Sequence, residues 1–162
     1  MKKNNLNLFE NILNLIPKIL DHHNTKSPVY IFLDDQIKKF IKEIKSEYNL
    51  NNSDICLSGF SQGCMISLNV GLTLQESLSC IVGFSGKIID KNDLSKRILS
   101  KTDILLIHGE LDTVVTPSNL LEAKDFFIRN KINIDTKIIK NCDHSIPAEA
   151  SSCALSFIKE HL

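Results

Sequence analysis

The chain has 162 residues, 43% apolar and 23% charged, which suits one soluble domain with a sizeable core. Its 19 basic and 19 acidic residues cancel, so it has neither a basic field for nucleic acid nor a polybasic patch for an anionic membrane. No run approaches the ~18 apolar residues of a membrane span, and Asn7, Glu10, Asn11 and Asn14 interrupt any signal-like core after Met1-Lys2-Lys3.

Leu6, Phe9, Leu13, Ile16 and Leu20 recur at helical spacing, joined by Leu8, Ile12, Leu15 and Ile19. This pattern predicts a helix over residues 6–21, bent at Pro17. Ser27-Pro28 reads as an N-cap followed by proline at the first helical position. Tyr30, Leu33, Ile37, Phe40, Ile41, Ile44 and Tyr48 then keep a 3.6-residue period, which predicts a second helix over about 28–47.

After a polar connection, a short strand is expected at about 54–59 and a helix at about 62–74. Between them lies Gly59-Phe60-Ser61-Gln62-Gly63. A Gly-x-Ser-x-Gly turn between a strand and a helix is a nucleophile elbow. It raises the serine hydroxyl above the end of a sheet, at a helix N-terminus that favours negative charge. Glycine is expected at both 59 and 63 because bulkier side chains would strike the strand and the helix. Further on, Ser79–Ser85 and Thr102–His108 read as buried strands, with a short helix at about 92–99 between them. A helix from Pro117 to about Asn130, an alternating strand over Ile132–Ile139 and a closing helix over 148–161 complete the chain. Helix–strand alternation from residue 28 onward argues for one α/β domain over residues 1–162, a parallel sheet covered on both faces, with 1–27 as a helical lead-in.

Side chains at the carboxyl ends of parallel strands converge on one edge. Ser61, Asp112 and His144 each fall just past such an end, in the order Ser, Asp, His. The chemistry needs all three. A serine hydroxyl requires an imidazole to take its proton, and His144 suits that role near neutral pH. Asp112 would fix the imidazole tautomer and stabilise the imidazolium. The N–H of Gln62, directly after the nucleophile, is the expected oxyanion donor.

Gly59-Phe60-Ser61-Gln62-Gly63, then His108-Gly109-Glu110-Leu111-Asp112-Thr113-Val114-Val115-Thr116-Pro117, then Asp143-His144-Ser145-Ile146 resemble the phospholipase/carboxylesterase family, which includes the acyl-protein thioesterases. The resemblance covers roughly residues 28–162. It implies an α/β-hydrolase fold and cleavage of small or medium acyl esters or thioesters through Ser61, Asp112 and His144, without cofactor or metal. Cys64 stands where the family usually has glycine, and Cys142-Asp143 replace a more glycine-rich approach to the histidine. Family members also begin with several strands and a His-Gly-x-Gly-like loop that supplies a second oxyanion donor, and no such segment precedes residue 54. The expectation is a fold truncated at its N-terminus, with about four strands, the nucleophile strand at a sheet edge, weakened activity and a homodimer through that edge. A non-catalytic remnant that binds rather than cleaves is the alternative.

The remaining polar features have plainer readings. His108 is expected to be a structural, hydrogen-bonded histidine, and Cys64 a buried small residue. Asp34-Asp35 read as the polar face of the second helix, and Asp21-His22-His23 as a solvated helix end lacking a suitably spaced third metal ligand. The five cysteines form no Cys-x-x-Cys pair and are odd in number, pointing to reduced thiols in a cytoplasmic protein.

Overall fold

The computed structural model describes residues 28–162, so the helix expected over 6–21 and the His22-His23 pair lie outside the described residues. Helical periodicity carries through in α1 (Pro28–Tyr48), which buries Leu33 and Ile41. On its polar side Asp34 pairs with Lys38 one turn on, at 2.8 Å, and accepts a 2.7 Å hydrogen bond from Asn69 of the next helix. The chain leaves α1 through Asn49 in the left-handed region, φ 54°.

The nucleophile strand starts later than its apolar run suggests, because Asn52–Asp54 closes a 3₁₀ turn. The Asn51 N–H donates to Asp54 Oδ2 at 2.7 Å, and the buried Asn52 amide donates to the Glu76 carbonyl at 2.8 Å. Then follow β1 (Cys56–Phe60), α2 (Gln62–Leu72), β2 (Cys80–Phe84), α3 (Lys91–Arg97), β3 (Asp103–Gly109), α4 (Ser118–Arg129), β4 (Ile134–Ile139) and α5 (Ala148–His161). All nine elements from α1 onward fall close to their expected bounds.

The strands form one four-stranded parallel sheet among the described residues, in the order β1-β2-β3-β4. A sheet that grows in one direction by crossovers of one hand keeps its connecting helices on one face. Accordingly α2, α3 and α4 bury Leu68, Leu94 and Phe127 with Ile81, Ile104 and Leu106 of the sheet. The opposite face is covered by α5, whose Ala150, Ala154 and Phe157 meet Val82, Leu105 and Ile107. On the outer side of α2, α1 packs Leu33 and Ile41 against Ile66 and Val70. Fully burying a Leu or Phe contributes ~1.5–3 kcal/mol, so the wholly buried Phe127 and Leu33 anchor their helices.

Strand β2 is buried along its whole length, as a central parallel strand must be. By contrast β1 has β2 as its one strand partner among the described residues. No helix among the described residues is long and apolar enough to cross a membrane.

Candidate active site

Ser61 occupies the turn between β1 and α2 with φ 53° and ψ −113°. Such a conformation costs a non-glycine residue ~1–3 kcal/mol and persists only where its surroundings hold it. Here the Ser61 N–H donates to the Phe84 carbonyl at 2.8 Å, extending the sheet register, and its own carbonyl accepts from Met65 at 3.2 Å. A Cβ at Gly59 would lie 2.2 Å from the Gly63 carbonyl carbon and 2.3 Å from its oxygen, so only glycine fits there.

The expectation for Gly63 is corrected. Among the described residues, a Cβ at 63 would meet nothing within 4 Å. The tight contact is made by the backbone of Gly63, so it constrains residue 59 alone. Cys64 is fully buried and fills the space facing Gly83 and Gly86; burial pushes its thiol up to about 12.

Asp112 follows β3 and His144 follows β4, and the sheet brings both to Ser61. His144 Nδ1 lies 2.7 Å from Asp112 Oδ2, and His144 Nε2 lies 3.0 Å from Ser61 Oγ. Asp112 is buried, and its Oδ1 accepts from the N–H groups of Val114 and Val115 at 2.9 Å each. Burial pushes the Asp112 carboxyl up, but hydrogen bonds from His144, Val115 and Val114 outweigh it and hold the group below the usual carboxylate range. The carboxylate is therefore ionised at neutral pH. As an acceptor it draws the proton of His144 onto Nδ1, leaving Nε2 free to accept from Ser61.

Gly109 makes room for the histidine loop. A Cβ there would lie 2.2 Å from the Asp143 carbonyl and 2.5 Å from that of Cys142. The same passage is tied by the Leu111 N–H donating to the Cys142 carbonyl at 2.8 Å. The Ser145 hydroxyl donates to Asp143 at 2.6 Å, closing a small turn around His144.

Two further side chains support this arrangement. The Phe60 ring lies with its centroid 4.7 Å from that of His144, tilted by 43°, and braces the imidazole from the strand side. His108 is buried with Nε2 at 2.6 Å from the Val115 carbonyl and 3.5 Å from Asp112 Oδ2. A carbonyl only accepts, so Nε2 carries the hydrogen. His108 thus clamps the turn that presents Asp112. This is the structural, hydrogen-bonded role expected of His108, with a partner that the sequence did not show.

Gln62 is the first residue of α2, where a backbone N–H has no intrahelical acceptor. Its side chain is buried, and Oε1 has no hydrogen-bond partner among the described residues. Among the same residues, no three His, Cys, Asp or Glu side chains are grouped so that they could hold a metal ion.

The phospholipase/carboxylesterase family model matches residues 7–162. Acyl-protein thioesterase 1 of Yarrowia lipolytica is 31% identical over 133 residues, covering 78% of this chain and 58% of that protein. Acyl-protein thioesterase 1 of Saccharomyces cerevisiae is 32% identical over 134 residues, covering 79% and 58%. The crystal structure of esterase PE8 superposes with a TM-score of 0.76 at 34% identity, over 83% of this chain and 60% of that one. Arabidopsis thaliana SOBER1, 22% identical, shares the fold with a TM-score of 0.75. The chain thus spans 58% of the length of either thioesterase. With a family match that runs through the elbow, the Asp112 turn and the His144 loop on an α/β-hydrolase sheet, this chain belongs to the phospholipase/carboxylesterase family.

Proposed function

We propose that the chain is a carboxylic ester hydrolase, acting on small or medium acyl esters or thioesters through Ser61, His144 and Asp112. The observation that carries this reading is the continuous link from Asp112 Oδ2 to His144 at 2.7 Å and on to Ser61 Oγ at 3.0 Å. His144 Nε2 takes the hydroxyl proton as Ser61 Oγ attacks the acyl carbon. The negative charge on the tetrahedral oxygen is met by the Gln62 N–H at the positive end of α2. Collapse expels the alcohol or thiol, which receives its proton from His144, and water repeats the cycle on the acyl-enzyme. The exposed apolar side chains Leu111 and Val114 beside Asp112, and Ile146 beside His144, suit an acyl chain. A reducing cytoplasm is the compartment this reading assigns.

Weak turnover is part of the proposal. Gln62 is the donor identified among the described residues, and one oxyanion donor is typically worth ~10²–10³ in kcat. A fluorophosphonate probe separates a weak enzyme from a binding remnant. Labelling of Ser61 in the native protein, abolished by Ser61→Ala and by prior unfolding, is the expected result. A folded protein that stays unlabelled would reverse the conclusion in favour of a non-catalytic binder.

The side of β1 that has no strand partner among the described residues carries the second finer proposal, association of two copies. An uncovered strand edge is a template for pairing with another chain, and its backbone groups need partners or water. Light scattering on the eluted protein is expected to give a dimer or larger species. A stable monomer across the micromolar range would contradict it.

A further inference from the structure

All five cysteines are free thiols, and two of them face each other across adjacent strands. Cys56 of β1 and Cys80 of β2 are register partners in a parallel ladder, on the sheet face covered by α5. Neighbouring strands lie ~4.8 Å apart, within the Cα separation of ~4.4–6.8 Å over which a disulfide closes. The two thiols are hydrogen-bonded to each other. That bond, helped by the Ser79 hydroxyl and His161 and opposed by burial, holds the Cys80 thiol below its ordinary range. The same bond, with burial and the charge on Cys80, pushes Cys56 up.

The counter-charge comes from the last turn of α5. His161 Nδ1 lies 2.8 Å from the Phe157 carbonyl, and Nε2 lies 3.3 Å from Asp103 Oδ2. Both partners only accept, so protonation lets the ring donate to both. The Phe157 carbonyl first, then the charges of Cys80 and Asp103, raise its pKa against burial. A helix C-terminus favours a cation as well. Cys56, Cys80 and Asp103 open their strands, whereas Ser61 follows the far end of β1, so this cluster lies at the opposite edge of the sheet from the hydrolytic site.

We propose that Cys56 and Cys80 are a redox-active dithiol that closes to a disulfide between β1 and β2 when the protein meets hydrogen peroxide. Half-buried Cys56 is the sulfur that peroxide reaches, since Cys80 is wholly buried. The Cys56 thiol gives up its proton, its sulfur attacks peroxide, and the O–O bond breaks to leave a sulfenic acid and a hydroxide that takes up that proton as one water. Cys80 then attacks the sulfenic sulfur, and the hydroxide it expels takes the Cys80 thiol proton to leave as a second water. Two electrons leave the two sulfurs, peroxide is reduced, and a thiol such as dithiothreitol reverses the step.

The test uses the native 162-residue chain, exposed to peroxide, unfolded and alkylated, then cleaved after glutamate. Glu47, Glu76 and Glu110 place Cys56 and Cys80 on different peptides, and fragmentation distinguishes Cys56 from Cys64. Free thiols are expected to fall from five to three, with one link joining Cys56 to Cys80 that dithiothreitol removes. Cys56→Ser, a small change at a half-buried position, should keep the circular dichroism of the parent and form no linked peptide. Five thiols left after peroxide, oxidation of Cys56 without a link, or a link from Cys56 to Cys153 would each overturn the proposal.

Discussion

Replacing Ser61 or His144 by alanine is expected to lower kcat on a p-nitrophenyl ester by about 10³-fold or more, and the double variant should lose little beyond either single one. In the proposed mechanism the three side chains act as one relay, because His144 is useful only while it touches both Asp112 at 2.7 Å and Ser61 at 3.0 Å. Removing one member leaves the others with no proton to move. Asp112→Asn should cost less than either alanine variant while keeping the fold. An asparagine oxygen can still accept from Val114 and Val115, as Asp112 Oδ1 does at 2.9 Å. Its amide would instead face His144 Nδ1 with a donor and favour the wrong tautomer. Steady-state kinetics with circular dichroism on each variant reads both effects. An active protein indifferent to His144→Ala would sink the assignment.

Gly109→Ala is expected to reduce kcat by about 100-fold, because a shift of about 1 Å in a catalytic group can cost that much. The added methyl would press on the carbonyls of Cys142 and Asp143 at 2.5 and 2.2 Å, both backbone atoms with no flexible side chain to yield. The loop must move, and it carries His144. Overpacking of this kind costs ~1–3 kcal/mol of stability, so thermal unfolding should shift modestly while activity collapses. Gly63→Ala is the matched control. Its methyl enters open space two residues from the nucleophile, and near-parental kcat is expected there. Equal losses at 63 and 109 would show that the elbow, rather than the histidine loop, is the sensitive part.

The contrast between these two glycines marks where sequence reading stops. Strand, elbow and helix around Ser61 were legible because a local pattern of apolar residues and glycines dictates them. The period from Leu33 to Tyr48 gave α1 for the same reason, and the strand-end positions of Asp112 and His144 follow from the alternation of elements. Contacts between segments distant in sequence have no local signature. Gly109 was read only as part of a motif, although its constraint comes from residues 142 and 143. Nothing near Cys56 announces that Cys80 is its register partner, and nothing near Phe60 announces the His144 ring at 4.7 Å. Gly63 was misjudged because the motif suggests two equivalent glycines, whereas side-chain direction makes only the first one necessary.

Because the sheet is laid down in chain order, most of its pairing joins segments that are neighbours along the chain, and such contacts close quickly. The proposed hydrolytic centre is the exception, spanning the 83 residues from Ser61 to His144. During synthesis, domains fold as their segments emerge, so the elbow can be complete while its base has not yet been translated. A nascent chain would carry a strained but inert serine until the last strand and helix dock. Chemistry is thereby withheld until the sheet is whole.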